Sequence, residues 1–199
     1  MSYSDFTIDD LKHKLGLRLV QDQELFPLPI EHPISDETKN YIEKYAPLAL
    51  AIDTEKARSE YILAPLLGEL HLVYKTQLSL FSGIDFTIDR EAGLSGRCDF
   101  LISRSGDQFS LTAPVVVLVE AKNDSIKAGI PQCGAEMVAA QRYNQQKKTE
   151  IEIIYGCIST GSIWRFLKLV DKTLTIDTRE YYLDALERIM GILAHISLS

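Results

Sequence analysis

Long apolar runs are missing from this 199-residue chain. The longest, Val115 to Val119, has the length of a strand, whereas a membrane helix needs about 20 apolar residues. No membrane partner is therefore expected. Cysteine is scarce: Cys98, Cys133 and Cys157 stand far apart, without the short spacings of a metal site. An odd, scattered set reads as reduced, buried thiols in a cytoplasmic protein. The four histidines, His13, His32, His71 and His195, are equally dispersed and suggest neither a metal pair nor a catalytic dyad. Repeats, low-complexity tracts and glycine-rich phosphate loops are lacking too, and Gly93 to Gly96 reads as a turn. The opening MSYSDFTIDD is polar and acidic, which fits neither a secretory signal nor a transit peptide. Positive charge is in deficit: 21 lysines and arginines against 28 acids leave a net charge of −7. Proteins that grip nucleic acid usually present a basic surface, so indiscriminate DNA binding is not expected. A local basic groove is still compatible with an acidic total.

What is present is an ordinary globular composition, 46% hydrophobic and 25% charged, long enough for one well-buried domain over residues 1–199. A short first helix is followed by LFPLPIEHP, Leu25 to Pro33, which should lie extended on the surface. Ser35 and Asp36 offer an N-cap for a helix ending near Pro47. Asp53 and Thr54 offer another, for a helix through Tyr74 with a kink at Pro65. Short strands are predicted at Gln77 to Phe81 and Ile84 to Ile88, separated by Ser82-Gly83. Gly96 to Ser103 alternates as a strand, and the β-branched run PVVVLVEAK marks a central strand buried on both faces. Pro131 suits the first position of a helix reaching about Lys147. Strands follow at Glu152 to Ser159, Ile163 to Val170 and Thr173 to Asp177, with a turn at Gly161-Ser162. A last amphipathic helix over Glu180 to Ile196 carries Tyr182, Leu186, Ile189, Leu193 and Ile196 on its apolar stripe. The fold class is α/β, a mixed β-sheet flanked by helices. Residues 1–52 form an N-terminal helical extension, 53–170 the core, and 171–199 a closing strand and helix.

Charge at the end of that buried central strand is the feature that points to chemistry, because buried strands carry charge at a cost. Glu120 and Lys122 are two apart and leave the same face of the sheet. Asp99, in the preceding strand, lies beside Glu120 if the two strands pair. Two such carboxylates suit a hard divalent cation, Mg²⁺ or Mn²⁺, with the Ala121 carbonyl as a further oxygen ligand. Lys122 would orient or activate an attacking water and stabilise charge building on a phosphate. Asp89 and Glu91 are competing acids, ranked lower because they fall in a turn-like stretch. Trp164, Phe166 and Tyr155 are read as core rather than as base-stacking residues.

G-R-C-D-F, then 20 residues from Asp99, then E-A-K, resembles the PD-(D/E)XK nuclease superfamily, whose restriction-endonuclease-like fold has an α-β-β-β-α-β core. The resemblance spans roughly Thr54 to Val170, leaving Phe6 to Leu50 unmatched, and has Cys98 before Asp99 instead of proline. It implies a further metal-binding acid from the first core helix. Glu60 fits that position, sharing a face with Ala57, Ala64 and Leu67, and Glu69 ranks behind it. It also implies a glutamine from the helix after the E-x-K strand, with Gln132 the closest match and Gln141 the fallback. Gln132, Glu136 and Tyr143 share one helical face, and Glu136 is either a supporting base or a surface charge. The activity implied is Mg²⁺-dependent phosphodiester hydrolysis by an endonuclease acting on DNA, in restriction or repair. Catalytic roles fall to Asp99, Glu120, Lys122 and Gln132, and metal binding to Asp99, Glu120, Glu60 and the Ala121 carbonyl. A homodimer would supply two sites for two strands. The alternative expectation is a nuclease-like fold that serves as a binding or assembly module without turnover.

Overall fold

The computed structural model describes residues 1–123 and 125–199. After a 3-10 turn at Tyr3–Asp5 comes the first α-helix, α1 (Ile8–His13), capped by Thr7, whose side chain accepts from the Asp10 N–H. Next comes a strand where the sequence reading placed only helix and extended chain: β1 (Arg18–Gln23). It is short, polar and exposed at the sheet edge, so it carries little of the apolar alternation that marks strands.

Helix α2 (Asp36–Ile52) starts at the Ser35 cap and runs through Pro47, where the sequence predicted its end. Proline removes one intrahelical hydrogen bond. Burial of Ile42, Ala46 and Ala49 on one face holds the helix across that gap. It stops at Asp53, which takes a left-handed conformation with φ 57°. Thr54 caps the next helix, α3 (Glu55–Arg58), which continues through a π-helical turn at Ser59–Leu63 into α4 (Ala64–Val73). Pro65 lies just past the wide turn. The irregularity foreseen at this proline is thus a π-turn, which adds a residue and rotates everything beyond it.

The expected pair of short strands is one continuous strand, β2 (Ser79–Asp85). Gly83 takes φ 62° within it, and pairing to β3 (Arg97–Ser103) resumes on both sides, at Ser82–Phe100 and Ile84–Cys98. Strand β4 (Val115–Ala121) is buried at every position. Helix α5 (Ile126–Gln146) follows its Ser125 cap and begins five residues before Pro131, which lies inside the helix and not at its start. Strands β5 (Ile153–Ser159), β6 (Ile163–Val170) and β7 (Thr173–Asp177) follow. The predicted final helix is divided: Tyr181–Tyr182 form strand β8, and α6 spans Leu186–Leu198. Tyr182 is consequently exposed, while Leu186, Ile189, Leu193 and Ile196 are buried.

Among the described residues the strands form one mixed eight-stranded sheet in the order β1-β7-β6-β5-β4-β3-β2, with β8 paired to β6. The pairs β4–β5 and β1–β7 are parallel, and the others are antiparallel. One core lies under α2, α4 and α6 and includes Leu66, Phe166, Trp164 and Leu193. The other lies under α1 and α5 and includes Leu11, Leu118, Cys133 and Met137. The three cysteines are buried and free, and burial pushes their thiols upward in pKa. Among the described residues, no helix is long and apolar enough to cross a membrane.

Candidate functional site

Strand β4 is central, between antiparallel β3 and parallel β5, and its last residues carry the charged groups. The β3–β4 register pairs Phe100 with Val119, so one step further sets Asp99 opposite Glu120. Beyond that point the ladder is replaced by a side chain: Asp99 Oδ2 accepts a hydrogen bond from the Ala121 N–H at 2.9 Å. The N–H and C=O of a strand residue share an edge, so the Ala121 carbonyl also faces the Asp99 side. The Lys122 N–H donates to the Ser159 carbonyl at 2.8 Å, anchoring the end of β4 to β5.

The Lys122 ammonium sits among acids. Its Nζ is 2.5 Å from Glu120 Oε1 and 3.5 Å from Glu55 Oε2, and it donates to Gln132 Oε1 at 3.3 Å. Gln132 Nε2 in turn donates to Glu136 Oε1 at 3.2 Å. Gln132 and Glu136 are one turn apart on the sheet-facing side of α5. The lysine stem runs beside Gly129 of the same helix, where an added Cβ would lie 3.2 Å from Lys122 Cγ and 2.7 Å from Ile158 Cγ2.

Glu55, Asp99 and Glu120 each offer a carboxylate oxygen, and these oxygens lie within 4.8 Å of one another. Glu120 is almost wholly buried, and its Oε2 has no hydrogen-bond partner among the described residues. Burial, then the charge of Asp99, pushes its carboxyl up to about 8 despite the adjacent ammonium. Burial likewise raises Asp99, against the pull of the Ala121 N–H and Lys122. For Lys122, burial pulls the pKa down, but Glu120, Glu55 and Asp99 outweigh it and the net shift is upward. Glu120 and Lys122 thus both titrate upward at one contact. The ammonium is the firmer charge, because three acids face it; Glu120 is the group whose charge changes near neutral pH.

A hard divalent cation takes oxygen donors and retains waters. Three carboxylates with an open buried oxygen on Glu120, and the Ala121 carbonyl at the same edge, fit that requirement.

The sequence-predicted residues divide accordingly. Asp99, Glu120, Lys122 and Gln132 come together. Glu60 does not: it is exposed on the helix and 3.5 Å from Lys56. Regular helical spacing placed it on the apolar stripe, but the π-turn at Ser59–Leu63 breaks that spacing. The same helix supplies Glu55 instead, in its first turn. Sequence reasoning misses that acid, for which a carboxylate directly after the Thr54 cap is the one local signal. Glu69 accepts hydrogen bonds from Ser35 and Thr38 at the start of α2. Gln141 donates to the Asp171 carbonyl, and Tyr143 to that of Leu111. Asp89 pairs with Arg142, and Glu91 is exposed. Glu136 is fully buried and is not a surface charge. Trp164, Phe166 and Tyr155 are core residues.

Neither known protein-family models nor curated protein sequences match this chain.

Proposed function

We propose that the protein is a divalent-metal-dependent phosphodiesterase that cleaves DNA, built on a restriction-endonuclease-like core. The observation that carries this reading is the convergence of Glu55, Asp99 and Glu120 on one point, with Lys122 against them and a buried Glu120 oxygen left open. The order helix, three strands, helix, strand from Glu55 to Ser159 agrees with such a core.

In this reading Glu55, Asp99, Glu120 and the Ala121 carbonyl hold Mg²⁺ or Mn²⁺. When bound, such an ion polarises the scissile phosphodiester and lowers the pKa of its water. The chain's own groups do the rest. Lys122 directs its remaining ammonium proton at the attacking water or a phosphate oxygen, where negative charge develops. Glu120 keeps the ammonium in place through the 2.5 Å contact, and Gln132 restrains it from α5.

A nuclease-like fold that binds without turnover is the competing reading, favoured by the net charge of −7. One assay separates the two. Purified protein with Mg²⁺ or Mn²⁺ should nick plasmid DNA or degrade single strands, and Lys122→Ala should abolish this. Equal activity in wild type and Lys122→Ala would defeat the proposal. Metal binding without cleavage by the wild type would favour the binding module.

A further inference from the structure

Glu136 is left over from the chemistry above. It is fully buried on α5; its Oε1 accepts from Gln132 Nε2, and its Oε2 has no partner among the described residues. A buried carboxyl with an open oxygen costs stability, and an apolar side chain of similar size does not. Packing alone therefore gives no reason for an acid here.

What the acid does is choose an orientation for its neighbour. A glutamine amide presents either its oxygen or its NH₂ in a given direction. An ammonium only donates, so the oxygen is the useful end toward Lys122. Glu136 supplies an acceptor on the opposite side of the amide, and a carboxyl keeps an acceptor oxygen whether or not it carries a proton. The NH₂ group is thereby drawn to Glu136 and the oxygen is turned to Lys122 Nζ, 3.3 Å away. We infer that Glu136 is a positioning residue, fixing the Gln132 amide so that its oxygen holds the Lys122 ammonium against Glu120. The consequence for turnover rests on the phosphodiesterase reading; the hydrogen-bond chain does not.

The test is a double-mutant cycle on the full chain with Gln132→Ala and Glu136→Met, an unbranched side chain that fills irregular space. Two readouts are followed: Mn²⁺-dependent cleavage of a labelled DNA, and the ¹⁵N signal of the Lys122 ammonium, assigned with Lys122→Arg. Misplacing a reacting group by about 1 Å can cost on the order of a hundredfold in rate. Glu136→Met is therefore expected to lower kcat by about ten- to a hundredfold with KM little changed, while melting no lower than wild type. Gln132→Ala should lose as much, and the double variant no more than either. Glu136→Gln, which retains an acceptor oxygen, should recover most of the lost turnover and return the Lys122 signal toward its wild-type position.

Losses that multiply in the double variant, an unmoved Lys122 signal, or Glu136→Gln as impaired as Glu136→Met would overturn the inference. Glu136→Leu serves as a second apolar variant. If neither apolar variant folds, the acid is structural and the inference also falls. If the wild type does not cleave DNA, the phosphodiesterase reading fails by itself. The inference is then judged on the Lys122 signal: shifts that add up across the cycle overturn it, and a shift already complete in either single variant supports it.

Discussion

Replacing Glu120 by glutamine should make the metal-free protein less sensitive to alkali. Glu120 is 1% exposed, and its carboxyl is raised from 4.5 to about 8, chiefly by burial. The folded protein therefore binds the proton more tightly than the unfolded chain does. Between pH 4.5 and about 8 the unfolded chain has given that proton up while the folded protein keeps it. Raising the pH then favours unfolding. The contribution is fully present below the unfolded pKa and is lost as pH rises toward the folded one. At about 1.4 kcal/mol per pH unit, the group accounts for a loss on the order of 4 kcal/mol between about pH 5 and pH 8. The amide introduced by Glu120→Gln does not titrate, yet its carbonyl still accepts from Lys122. Urea unfolding of both proteins at about pH 5, 6, 7 and 8 in EDTA reads the effect as a difference, in which groups away from the site cancel while the neighbours Lys122 and Glu136 respond together with Glu120. The wild-type stability minus that of Glu120→Gln should fall steadily over this range, by several kcal/mol in all. Parallel curves, within about 0.5 kcal/mol of a constant offset, would refute the reasoning; that is well below the titration cost of a strongly shifted group.

Three further outcomes follow from the same geometry. Glu55→Gln should remove most of the rise in melting temperature caused by Mn²⁺, while Glu60→Gln should leave that rise intact, since a ligand stabilises in proportion to its binding; the reverse result would put the cation on the outer face of the helix. Gly129→Ala should cost about 1–3 kcal/mol in urea unfolding, the usual cost of overpacking, because its Cβ would press on Ile158 and on the Lys122 stem; a neutral effect would mean that α5 has room to retreat. Asn144→Ala should cost about 2–4 kcal/mol, since it strips the buried N–H and C=O of Val115 of their side-chain partner; a loss under about 1 kcal/mol would show that solvent reaches the start of β4.

Much of this fold is legible because its signals are local and strong. The run Val115 to Val119 has no polar residue to expose, so only a central strand accommodates it. Ser35 and Thr54, both expected as caps, accept hydrogen bonds from helical N–H groups just where helices start; Ser125 does the same for α5, a start the sequence reading placed at Pro131. The prolines were the weak guide. Pro47 and Pro131 both lie inside helices, because each removes a single hydrogen bond while the flanking apolar faces remain packed. Strand β1 escaped notice since an edge strand with one parallel neighbour needs little apolar surface. In the site, Asp99, Glu120 and Lys122 were readable from strand alternation, which two residues of spacing cannot disturb. The helical acid was not, because one π-turn between Glu55 and Leu67 is enough to rotate Glu60 away. Gln132 was accessible from its place on α5, but the burial of Glu136 depends on how closely that helix approaches β4, and no local pattern encodes this.

Calorimetric titration of Mn²⁺ into wild type and Asp99→Ala tests the central claim most directly, namely that the end of β4 is a divalent-cation site. The account predicts saturable binding to the wild type that weakens as the pH falls below about 8, where Glu120 takes up its proton, and loss of that binding in Asp99→Ala. Equal binding by the two proteins, or no heat of binding to either at millimolar Mn²⁺, would contradict it.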